Sequence, residues 1–103
     1  MSLSETLAAV ADPTRRAVVV RLARGTATVG ELAAPHAMSL PAVSKHLCVL
    51  VDAGLVSRRK VGRRVLCTLE PEVLTEVADW VTDLTAFWTG ALDRLELVTQ
   101  EDS

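Results

Sequence analysis

At 103 residues, half of them hydrophobic, the chain is long enough for one domain with a modest core and too apolar to be disordered. Its formal net charge of −2 hides a division: residues 1–69 hold ten basic and four acidic side chains, net +6, and residues 70–103 hold one basic and nine acidic, net −8. That asymmetry excludes a uniformly acidic protein and suggests a cationic face for a polyanion beside an acidic element turned away from it.

Glu5 and Asp12 stand where an export signal would be basic, then apolar, and the run Ala17-Val18-Val19-Val20 is stopped by Arg21 before it could span a membrane. A cytoplasmic protein is expected. Leu3, Leu7, Val10 and Ala11 fit a short first helix. Asp12-Pro13 reads as an N-cap followed by a first-turn proline, opening a second helix over 13–23 with Ala17, Val20 and Leu22 buried and Gly25 at its end. Thr28 and Glu31 form a capping box for a third, short helix stopped by Pro35.

Ser39 then caps a fourth helix in which Pro41 is tolerated in the first turn. Val43, Leu47, Leu50 and Val51 face the core, and Ala42, Lys45, Cys48 and Val49 lie on the opposite face. Gly54 ends this helix in a left-handed cap. Two strands follow, near 56–61 and 65–69, joined through Gly62-Arg63-Arg64. From Ser39 to Leu69 the charges are Lys45, Arg58, Arg59, Lys60, Arg63 and Arg64 against Asp52 alone, the profile of a nucleic-acid reader in which a helix enters a groove and a hairpin grips phosphates.

The last element is a helix over about 72–98. Val73, Val77, Trp80, Val81, Leu84, Phe87, Trp88, Ala91, Leu92 and Leu95 recur every three or four residues. It would be on the order of 40 Å long and carries all three aromatic residues, too much apolar surface for one small domain to hide. A homodimer interface is its expected sink, built from Trp80, Leu84, Phe87, Trp88, Ala91, Leu92 and Leu95 with Leu3 and Leu7 of the first helix. The alternative is one long helix packed only on its own domain.

Three helices, a reading helix, a two-stranded wing and a long helix make a mainly α winged helix-turn-helix, a single domain over 1–103 with a C-terminal dimerisation helix. The chain also resembles the ArsR/SmtB type of bacterial repressor. The resemblance runs through Val10-Ala11-Asp12-Pro13-Thr14-Arg15-Arg16, Val29-Gly30-Glu31-Leu32-Ala33, Ser39-Leu40-Pro41-Ala42-Val43-Ser44-Lys45-His46-Leu47 and Ala53-Gly54-Leu55-Val56. Within that family it resembles the metal-independent branch whose last helix carries a Phe-Trp pair, here Phe87-Trp88.

What the resemblance implies is major-groove contact by Ser39, Ala42, Ser44, Lys45 and His46, with Arg63, Arg64 and Lys60 of the wing on the flanking backbone or minor groove. On a helical wheel His46 lies nearer the buried edge than Lys45, so a packing role for it stays open. Cys48 departs from the family pattern, which commonly has a basic residue there. It reads either as a small adaptable side chain or as a thiol whose oxidation or alkylation would block DNA binding. Cys48 and Cys67 are too far apart for a CxxC motif, and both are expected to be reduced.

Metal sensing in the family resembles a Cys-x-Cys pair in the third helix, suited to soft ions, or Asp and His residues of the terminal helices, suited to zinc. Ala33 and Pro35 occupy the first pair of positions. The terminal helix has Asp79 and Asp83 but no histidine, and His36 and His46 lie elsewhere, so no metal site and no cofactor are expected. No phosphate-binding glycine motif or nucleophile elbow is present, and catalysis is not expected. Two readings remain. One is a homodimeric repressor on an inverted-repeat DNA operator, open to a small-molecule or thiol-reactive effector. The other is a dimeric protein-interaction module that kept the fold and lost specific DNA binding.

Overall fold

Helix starts in this chain are set by single polar side chains. In a computed structural model, which describes the backbone of residues 2–102 and the side chains of residues 2–94, Ser2, Asp12, Thr28 and Ser39 each hold extended backbone. Each accepts, through a side-chain oxygen, the N–H three residues on. Such a cap satisfies one donor that the first turn leaves open and contributes about 1 kcal/mol. The helices they open are α1 (Leu3–Ala9), α2 (Pro13–Leu22), α3 (Val29–Ala33) and α4 (Leu40–Asp52). Pro35 ends α3 by diverting the chain into a 3-10 turn over Ala34–His36.

Gly54, at φ 79°, terminates α4 in a Schellman motif: Leu55 N–H donates to the Leu50 carbonyl at 3.0 Å and Gly54 N–H to that of Val51 at 2.9 Å. Leu50 and Leu55 are both fully buried members of the core. Strands β2 (Val56–Val61) and β3 (Arg64–Leu69) then pair antiparallel from Val56↔Leu69 to Val61↔Arg64. The hairpin loop is therefore Gly62-Arg63, and Arg64 belongs to the strand rather than to the turn. Gly62 has φ 62° and Arg63 does not have positive φ, as expected when glycine takes the first place of a two-residue loop.

Several expectations need correction. The sheet has three strands, in the order β1-β3-β2, because Ala27–Thr28 (β1) pairs with Cys67 and Leu66 on the free edge of β3. Helix α2 stops at Leu22, and it buries Val18 and Leu22 instead of Ala17 and Val20; Val20 is 62% exposed. Three consecutive valines go round a helix, and the stripe facing the interior leaves Val20, about 200° from Val18, on the far side. Helix α1 buries Thr6 and Ala9, with Leu3 and Leu7 half-buried and Ala11 exposed beyond its end.

Val18, Leu32, Val43, Leu47, Leu50 and Leu55 form the centre of the core, where α2, α3 and α4 meet the sheet. The Thr6 hydroxyl, buried beneath α1, donates to the Ser2 carbonyl at 3.2 Å. Helix α5 (Pro71–Asp102) begins one residue earlier and ends later than the sequence suggested. Its first turns are anchored: Val73 is buried and Leu74 and Val77 are half-buried, whereas every residue from Ala78 to Thr89 is exposed. The molecule therefore measures 69 × 26 × 22 Å with a radius of gyration of 18.9 Å, against about 13 Å for a compact chain of this length.

Candidate nucleic-acid interface

Helix α4 presents three core residues inward, so its outer surface is fixed by elimination. Leu40, Pro41, Lys45, Cys48 and Val49 are exposed there, and Ala42, Ser44 and His46 are half-exposed. Ser39 spends its hydroxyl on the Ala42 N–H at 3.3 Å, which makes it first a cap. Lys45 is exposed in the middle of the helix. His46 is drawn toward α2, with Nδ1 3.4 Å from Arg15 Nη1 and 3.9 Å from Asp12 Oδ2. Arginine offers only donors, so a hydrogen bond from Arg15 requires an unprotonated Nδ1, whereas a protonated ring faces the Asp12 carboxylate as a cation.

Arg15 also donates through Nε to the Ala9 carbonyl at 2.6 Å and through Nη2 to that of Ala8 at 3.4 Å. Its cation thus satisfies the C-terminal carbonyls of α1 while holding the reading helix by His46. Neither Arg15 nor Asp12 was singled out for the site from sequence. The long-range contact between positions 15 and 46 leaves no trace in local spacing.

The wing supplies the remaining cations. Arg58, Arg59, Lys60, Arg63 and Arg64 are all exposed. Arg63 and Arg64 line a cleft of about 400 Å³ together with Leu40 and Ser44, bounded by the starts of α3 and α4 and by the hairpin. At the other end of α4, Arg58 Nη2 donates to Cys48 Sγ at 3.8 Å. A guanidinium from β2 thus stands over the thiol on the outer face of α4. Strand alternation puts Arg58 and Lys60 on one face, but only the packing of β2 against α4 shows that this face is the one beside Cys48. Cys67, by contrast, is fully buried in β3, and burial pushes its thiol up, away from reactivity at neutral pH.

Two carboxylates hold the scaffold. Asp12 lies below its ordinary pKa, chiefly through the Arg15 backbone N–H it accepts, aided by the charges of His46 and Arg15. Glu31 is lowered first by the Thr28 hydroxyl, which donates to it at 3.0 Å, then by the Thr28 N–H and by Arg21 and Arg64. A carboxyl whose folded pKa lies below its unfolded value contributes its full stability above the unfolded pKa and loses it as pH falls through the folded one. The melting temperature is therefore expected to fall as the pH drops below about 4.5, and to fall less in Glu31→Gln. Identical acid profiles for the two proteins in thermal melts would show that the capping box does not couple to pH.

The two positions that the sequence resemblance marks for a soft metal carry no donor side chain. Ala33 is a buried apolar residue and Pro35 an exposed one. Among the described residues no group of three His, Cys, Asp or Glu side chains converges, and no helix is long and apolar enough to cross a membrane.

Comparison with known proteins agrees with this geometry. A helix-turn-helix domain model matches residues 10–59. The HTH-type transcriptional regulator Rv2034 of Mycobacterium tuberculosis is 52% identical over 84 residues, spanning 82% of this chain and 76% of that protein. The transcriptional repressor SdpR of Bacillus subtilis is 33% identical over 73 residues, spanning 71% of this chain and 81% of the relative. A crystal structure of an ArsR family transcriptional regulator, RHA00566, superposes with a TM-score of 0.78 at 45% identity and covers 84% of this chain and 96% of that one. All three are named as regulators or repressors of transcription, none as an enzyme.

Proposed function

Because the chain belongs to the ArsR/SmtB family of winged helix-turn-helix transcriptional regulators, we propose that it is a homodimeric repressor that binds an inverted-repeat operator and needs no metal effector. The observation that carries this reading is the join between α4 and the wing. Arg58 covers one end of the outer face of α4, Arg63 and Arg64 share a cleft with the other end, and Lys45 stands between them. A B-DNA major groove is wide enough for one helix, and cations at both ends of that helix would meet the phosphates on either side of it. In this reading Ser44 and Lys45 face the bases, Lys60, Arg63 and Arg64 take the backbone, and Ser39, Ala42 and His46 set the helix in place.

The whole chain then works as one domain with a dimerising α5. The exposed Trp80, Leu84, Phe87, Trp88 and Leu92 of one copy would cover those of the other, while Leu95 lies outside the described side chains. Two copies related by a two-fold axis would place two reading helices on an operator with matching symmetry. Independence from metal follows from the donor set, since Ala33 and Pro35 cannot ligate and Asp79 and Asp83 have no histidine beside them.

Fluorescence anisotropy with the fragment upstream of the gene and a scrambled fragment of equal length, with and without EDTA, tests the reading. Preference for the upstream fragment by at least roughly a thousand-fold, unchanged by EDTA, is expected of a specific regulator. Equal and weak binding to both fragments would favour the interaction-module alternative, and loss of binding with EDTA would restore a metal to the mechanism.

A further inference from the structure

The leading turn of the reading helix is apolar where base recognition is usually polar. Leu40, its first residue, is 56% exposed although it is a large hydrophobe, and Pro41 beside it has neither a side-chain donor nor an N–H. Ser39 turns its oxygen to the Ala42 N–H, which holds its hydroxyl back at the cap. Leu40 touches the same cleft as Ser44, Arg63 and Arg64. Val29 and Val65 also line it but are half-buried, so if the two arginines hold phosphates, Leu40 is the exposed large apolar side chain that the cleft offers to the base edges between them.

A major groove presents one apolar group, the C5-methyl of thymine; every other functional group at its floor is a hydrogen-bond donor or acceptor. The geometry points to Leu40 as a specificity-determining residue that packs on a thymine methyl in each half-site. This rests on the proposed reading of α4 as the groove-entering helix and adds to it the base that the first turn selects. It also accounts for an exposed leucine at a helix start that needs only a cap and a proline to form.

The test uses the full chain and duplexes selected from a random pool by the protein itself. In the selected sequence each thymine is replaced in turn by uracil, which differs only by lacking the methyl, and in separate duplexes the T·A pair is replaced by 5-methylcytosine·G, which restores a methyl at the same place in the groove. Losing contact with one methyl-sized group should weaken binding about four-fold, and roughly ten- to twenty-fold when both half-sites are changed. The expected result is one symmetric pair of thymines with this sensitivity, with 5-methylcytosine binding better than unmethylated cytosine at the same position.

Leu40→Ala should bind the thymine and uracil duplexes alike, with a melting temperature close to that of the parent because the side chain is mostly in water. Uracil without effect at every position, or a uracil effect that persists in Leu40→Ala, would overturn the inference and leave α4 as the reader. Failure to enrich any sequence would instead overturn the DNA-reading itself, and the thymine contact with it.

Discussion

Trp88→Glu combined with Leu92→Glu is expected to sediment as a monomer at micromolar concentration and to lose at least a hundred-fold in operator affinity. The two side chains are 55% and 59% exposed in one copy, and Phe87, at 62%, packs edge-on against Trp88 with ring centroids 6.0 Å apart. Few soluble monomers present so continuous an apolar strip, and each buried aromatic can remove some 150–250 Å² from water. At roughly 25 cal/mol per Å², the two tryptophans and the phenylalanine from each helix can supply several kcal/mol even after the cost of association. Four new carboxylates across a two-fold axis, beside Asp79, Asp83 and Asp93, would oppose it by desolvation and like-charge repulsion. A monomer holds only one half-site and loses the effective concentration that the second reading helix enjoys. Because both side chains are exposed and outside the core of their own domain, the far-UV circular dichroism should be unchanged, which separates a lost interface from a lost fold. A double variant that remained dimeric by sedimentation velocity would move the interface elsewhere.

Arg63→Ala combined with Arg64→Ala is expected to weaken binding to every DNA sequence and to flatten its salt dependence. One phosphate contact per arginine gives four in a dimer, and each contributes about −0.9 to the slope of log K against log salt. The slope should therefore become shallower by roughly 3 to 4, with affinity at physiological salt lower by about a hundred-fold or more. Both side chains are exposed, and the strand pair Val61↔Arg64 is made by backbone groups that alanine keeps. Stability should stay within about 0.5 kcal/mol by denaturant titration. The preference among sequences, as distinct from the affinity, should survive, since a phosphate contact reads no base. An unchanged salt slope would take the wing off the DNA, and the surface around Lys45 and Arg58 would have to bind alone.

Much of this molecule is local in origin. Ser39 with Pro41, Thr28 with Glu31 and Asp12 with Pro13 announce three helix starts, because a cap is a bond across three residues and needs no tertiary partner. Gly54 and Gly62 mark the end of α4 and the hairpin loop for the same reason: a positive φ is a property of one residue. The regular apolar spacing along α5 and the excess of cations from Lys45 to Arg64 were equally legible, and with them the winged fold and a surface suited to DNA.

Contacts between distant segments decided the rest. Ala27 and Thr28 have no strand pattern of their own and pair only because β3 has an open edge beside them. The valines of α2 carry no phase, so the core chose Val18 over Val20. His46 is tied to Arg15 and Arg58 stands over Cys48 through separations of 31 and 10 residues. Capping, turn and periodicity signals report the conformation of a few consecutive residues, which the chain dictates directly. Which side of a uniformly apolar run is buried, and which cation reaches the reading helix, depends on surfaces that exist only after the chain has packed.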